Sequence, residues 1–111
     1  MTARRAARVD DNHAEIVAAL RRVGCSVCDL SAVGGGVPDL LVGIGNRNIL
    51  IEVKSPDAYR VDGVTLLRPN SKTVLAQAAW RADWRGPVKV VQSVDEALRA
   101  VMGPQYREVT P

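Results

Sequence analysis

Imidazole and thiol side chains are scarce in this chain, with one histidine, His13, and two cysteines among 111 residues. Cys25 and Cys28 form a single CxxC, and one histidine leaves too few ligands for a closed zinc site. The CxxC lies in a β-like stretch, not at the start of a helix, which argues against a redox pair. On a strand, residues three apart point to opposite faces, so a disulfide is not expected. Two reduced thiols packed as small apolar groups are expected instead, and His13 is expected on a helix surface. No apolar run approaches the ~20 residues that cross a bilayer. Met1 to Arg8 is basic without an apolar centre, so it does not read as a secretory signal and the expected location is cytoplasmic. Repeats, low-complexity tracts and linkers are also missing.

The length suits one domain over residues 1–111, with a basic arm at 1–9 and a C-terminal tail at 104–111. Apolar residues make up 47%, enough for a core. Net charge is +3, carried mainly by arginine, since only Lys54, Lys72 and Lys89 are lysines. That balance permits contact with a polyanion without requiring it.

Helical spacing of Ile16, Val17, Leu20 and Val23 predicts a first helix from about Asn12 to Val23, stopped by Gly24. A strand is expected from Cys25 to Leu30, then a loop at Gly34-Gly35-Gly36. Val37 to Ile44 and Asn48 to Ser55 read as the arms of a hairpin turning at Gly45-Asn46-Arg47-Asn48. Placing Gly45 opposite Asn48 sets Asp39 against Lys54 and Leu41 against Glu52. Leu40, Val42, Ile44, Ile49, Ile51 and Val53 then form one wholly apolar face that must be buried. The other face carries Asp39, Leu41, Gly43, Leu50, Glu52 and Lys54. Residues 56–70 give no clear pattern. A second helix is expected from Lys72 to Trp84 with Ser71 as N-cap, a short strand from Val88 to Gln92, and a third helix opened by the capping box Ser93 to Glu96 and ended by Gly103-Pro104. The order is α-β-β-β-α-β-α, and the third and fourth strands, joined through a helix, should be parallel.

Asp39, Glu52 and Lys54 carry the chemistry. Structural ion pairing is the bland alternative, since surface pairs are common and weak. The apolar neighbours Leu40, Leu41, Ile51 and Val53 instead suit strands inside a sheet, where two acids and a lysine are costly unless they have work to do. Paired carboxylates invite a divalent cation, and a cation beside an ammonium suits phosphodiester cleavage.

Gly36-Val37-Pro38-Asp39 followed by Ile51-Glu52-Val53-Lys54-Ser55 resembles the motif of the PD-(D/E)XK nuclease superfamily, and within it the small VRR-NUC and Holliday-junction-resolvase-like nucleases, many of them phage-encoded. The resemblance runs from the first helix through Trp84–Val88 to the helix opened at Ser93. It implies an α/β restriction-endonuclease-like core with a mixed sheet flanked by helices. It implies a metal-dependent endonuclease that hydrolyses DNA phosphodiester bonds, structure-selective for branched or junction DNA, in a bacterial or phage-infected cytoplasm. Asp39 and Glu52, with the main-chain carbonyl of Val53, would hold Mg²⁺ or Mn²⁺. Lys54 would orient or deprotonate the attacking water, or stabilise charge on the phosphate.

The resemblance also brings in Glu15, because relatives often place an acid from the first helix at the metal. A capping box closing on Asn12 accounts for Glu15 equally well. Gln77 corresponds to a glutamine that reaches the site from the helix after the lysine strand, and it shares a helix face with Trp80 and Trp84. Those indoles suit a core face, or stacking on bases. Arg4, Arg5, Arg8, Arg68 and Lys72 are candidate phosphate contacts, or plain solvated charges. A homodimer, and a recruiting helicase or other protein, are conceivable partners by analogy. The rival readings are a DNA-binding module of the same fold without catalysis, and a phage accessory protein that acts by protein interaction.

Overall fold

The computed structural model describes residues 12–103 and Tyr106. The arm with Arg4, Arg5 and Arg8, and the tail apart from Tyr106, lie outside the described residues. The elements are α1 (His13–Arg22), β1 (Ser26–Asp29), β2 (Leu40–Ile44), β3 (Arg47–Val53), a 3-10 turn (Pro56–Ala58), α2 (Lys72–Asp83), β4 (Val88–Val91) and α3 (Val94–Met102). They form one α/β arrangement around a mixed sheet of order β1-β2-β3-β4. The β1–β2 and β2–β3 pairs are antiparallel and β3–β4 is parallel, as the crossover through α2 demands. β3, the strand of Glu52, is therefore an interior strand.

The hairpin turn is tighter than expected. Gly45 (φ 55°) and Asn46 (φ 63°) both take the left-handed conformation, so a two-residue turn pairs Ile44 with Arg47. Such turns match strand twist, and Gly and Asn tolerate positive φ best. The register shifts by two positions from the expected one. Leu41 faces Leu50, and one step beyond the Leu40–Ile51 pair Asp39 comes opposite Glu52, in place of Lys54. Because the shift is even, every side chain keeps its expected face.

Leu40, Val42, Ile49, Ile51 and Val53 of the apolar face are buried against Ile16 and Leu20 of α1 and Ala97 and Val101 of α3. The opposite face is covered more thinly by α2, none of whose residues is buried. Ser71 Oγ accepts from Val74 N at the start of α2. At α3, Ser93 Oγ accepts from Glu96 N, while Glu96 Oε1 accepts from Gln92 N, one residue upstream of a closed capping box.

Three smaller expectations change. Asn12 makes no side-chain cap on α1; its Nδ2 donates to Gln92 O (2.6 Å) and Lys54 O (3.4 Å), tying the helix to the ends of the two parallel strands. His13 is buried, not on the surface, with Nε2 3.0 Å from Asp29 Oδ2. The side-chain bond from Ser31, helped by its backbone N–H and by His13, holds Asp29 down at about 2. Cys25 is a buried free thiol whose pKa is pushed up by burial, whereas Cys28 is exposed. Residues 59–66 close through an isolated bridge between Tyr59 and Leu66, with Asp62 accepting from Val64 N and Thr65 N. Among the described residues no helix is long and apolar enough to cross a membrane.

Candidate active site

Strand ends assemble the acidic cluster. Asp39 stands immediately before β2, behind the buried Pro38, while Glu52 lies near the end of β3 and Lys54 directly follows it. Asp39 Oδ2 accepts from Val53 N (2.7 Å), which sets its carboxylate across the strand end beside Glu52. Glu52 is only 2% exposed. Burial, and after it the charge of Asp39, pushes the Glu52 carboxyl up to about 8, and a hydrogen bond with Asp39 adds to the rise. Lys54 and Arg81 pull the other way without cancelling it. A buried carboxyl beside a second, half-buried one cannot readily carry full charge without a compensating cation.

Gln77 on α2 bridges the cluster. Its Nε2 donates to Glu52 Oε2 (2.6 Å) and its Oε1 accepts from Lys54 Nζ (2.6 Å). An acid that needs a donor and an ammonium that needs an acceptor dictate which way the amide points. Gln77 is thus carried inward even though α2 buries none of its residues.

Gly36 explains how α2 comes so close. With φ +88°, a Cβ there would lie 2.3 Å from Ala76 O and 3.1 Å from Gln77 N. The loop touches the α2 backbone at the residue before Gln77, and only glycine fits. Gly34 and Gly35 also have positive φ but open space around them.

A cleft of about 510 Å³ opens beside Asp39 and Gln77, walled by the glycine loop and by Lys72 and Thr73. On the other side a smaller one of about 130 Å³ brings Arg68 and Asp57 to Lys54. Lys72 and Arg68 therefore flank the cluster on two sides. Glu15 does not join it. It is exposed on α1 and lines a separate cleft with Asn12, Ser55, Asp57, Gln92 and Asp95. Ser55 caps the 3-10 turn, its Oγ accepting from Asp57 N.

Among the described residues no three His, Cys, Asp or Glu gather around one point. A cation here would rest on Asp39 and Glu52 and keep most of its waters, the habit of Mg²⁺. The donor set fits that ion, being two neighbouring carboxyls that offer hard oxygens. Arg81 is a further residue of the site region that the sequence reading did not name, while Gly36 and Asn12 were named only for a loop, a motif and a cap, not for the contacts they make here. Arg81 had a signal, since it stands one turn beyond Gln77 on the same helix. Asn12 had none, because its partners are 42 and 80 residues away. No family model, curated protein or solved structure matches the chain.

Proposed function

We propose that this protein is a Mg²⁺- or Mn²⁺-dependent endonuclease of restriction-endonuclease-like fold that hydrolyses DNA phosphodiester bonds. One observation carries the reading. Glu52 is buried against Asp39, and a single amide ties that same carboxyl to Lys54. An arrangement that costly and that connected is typical of a working site.

A bound divalent cation supplies Lewis-acid polarisation of the phosphate and makes the attacking water more acidic. The chain's own residues do the rest. Asp39 and Glu52 would hold the cation, and the Val53 N–H fixes the Asp39 carboxylate. Gln77 keeps Glu52 and Lys54 in one geometry, so neither must reorganise when substrate arrives. Lys54 donates to charge developing on the phosphate oxygens. Lys72 and Arg68 meet neighbouring backbone phosphates from the two sides. The sequence carries no motif of a groove-reading module, which favours DNA shape over sequence as the determinant.

The test is incubation with supercoiled, linear, single-stranded and four-way-junction DNA in Mg²⁺, Mn²⁺ or EDTA. Metal-dependent cutting is expected, falling on the order of a hundredfold or more in Asp39→Ala and Lys54→Ala. Binding without cutting, in any metal, would refute the proposal.

A further inference from the structure

Beyond the acidic cluster, the α2 side of the sheet carries a second recess. It is a groove of about 390 Å³ lined by Leu41, Leu50, Trp80, Trp84 and Pro87, with Asn48 the one polar amide in its wall. That volume suits a small flat ligand. The two indoles stack with centroids 4.7 Å apart and planes 19° from parallel. Trp84 is 49% exposed and Leu41 36%. These tryptophans are therefore not the core face that their spacing suggests; α2 leaves them as an open aromatic platform.

The groove adjoins the cluster along the strands and along α2, and shares Val37 with the cleft beside Asp39. Leu41 and Leu50 share a sheet face with Asp39 and Glu52 and pair directly with each other. Each lies two residues from an acid, about 7 Å along its strand. Trp80 follows Gln77 by one helical turn. A DNA strand whose phosphate sits at Asp39 and Glu52 has its neighbouring nucleotide within reach of this platform. Any base has a π-face for an indole, and an apolar groove rewards a base that has left the stack.

We propose that the groove is a subsite for one unpaired nucleobase next to the cut phosphate, stacked on the Trp80–Trp84 pair with its polar edge toward Asn48. The proposal rests on the nuclease reading and names its substrate class, DNA with an unpaired nucleotide at the cleavage position. A fully paired duplex keeps its bases stacked and cannot fill the groove without unstacking one.

The experiment uses the full chain in EDTA, so that binding is measured without cutting. The probes are two otherwise identical duplexes, one with a single unpaired 2-aminopurine and one with that base paired. The unpaired probe should bind roughly tenfold more tightly, with quenching of both tryptophan and 2-aminopurine emission. Trp84→Ala should erase that preference while leaving the paired duplex unaffected, and Trp84→Phe, which keeps a stacking face, should retain much of it. Equal affinity for the two probes, or a preference that survives Trp84→Ala, overturns the proposal. So does a dimer in sedimentation that Trp84→Ala dissociates, because a second copy would then be the occupant. Cutting in Mg²⁺, assayed separately, keeps the two readings apart. Cutting without base preference sinks only the groove, whereas base preference without cutting sinks the nuclease reading and the cleavage-site part of the proposal, leaving only base binding on the tryptophans.

Discussion

Replacing Glu52 with glutamine should make the metal-free protein more stable at alkaline pH, a result opposite to that for most buried substitutions. The Glu52 carboxyl is pushed from its ordinary 4.5 up to about 8 by burial and by Asp39. Between those values the folded chain holds a proton that the unfolded chain releases. The stability that Glu52 contributes is therefore greatest below pH 4.5, falls as pH rises through the window, and levels off above about 8. Each pH unit within the window is worth up to tenfold in the folding equilibrium, so the whole loss is on the order of 3–5 kcal/mol. That is a large share of the roughly 5–15 kcal/mol a domain of this size possesses. Glutamine keeps the shape. Its oxygen can accept from Gln77 Nε2, and its amide can donate to Asp39. Urea unfolding in EDTA at pH 5, 7 and 9 measures the effect. Taking the difference between wild type and Glu52→Gln cancels the other titrating groups, including Asp29 and Cys25. The difference should be small at pH 5 and should favour the variant by a few kcal/mol at pH 9. Adding Mg²⁺ or Mn²⁺ at pH 9 should raise the wild-type midpoint and leave the variant nearly unmoved. A difference that stays constant from pH 5 to 9 would show that Glu52 ionises like a solvated acid, and the electrostatic argument for the site would fall.

Gly36→Ala should cost on the order of 2 kcal/mol or more in chemical denaturation, because the new methyl meets the Ala76 carbonyl as well as a positive φ. Gly35→Ala, with only the φ penalty, should cost about half that. Gln77→Leu removes the donor to Glu52 and the acceptor from Lys54, so cutting should fall roughly a hundredfold. Its stability should change by no more than about 1–3 kcal/mol; undiminished cutting by this variant would remove Gln77 from the site. Ile51→Ala, in the fully buried face of β3, should lower unfolding stability by about 2–5 kcal/mol.

The hairpin shows where pattern reading succeeds and where it stops. The faces of β2 and β3 follow from alternation alone, and an error of two positions in register leaves them intact because the side-chain period is two. The partners do not survive that error. Asp39 meets Glu52 and not Lys54, since the turn uses two left-handed residues in place of a longer loop. Gln77 was legible as a residue on the inward face of α2, but its double role needed the distance between helix and sheet. That distance is set by Gly36 against Ala76, a contact between segments 40 residues apart.

From the sequence alone came the element order, the apolar face of the hairpin, the parallel crossover, and the gathering of Asp39, Glu52 and Lys54 at one end of one sheet face. All of these rest on local periodicity and on caps and turns, which a linear chain encodes within a few residues. Tertiary structure decided the rest. It put Asp39 against Glu52 in a buried contact that raises one carboxyl. It hung Lys54 from Gln77, left Glu15 on a different cleft, and kept Trp80 and Trp84 open beside the site. These outcomes depend on how closely a helix approaches a sheet and on which groups lose water there, and neither quantity is written in any short stretch of the chain.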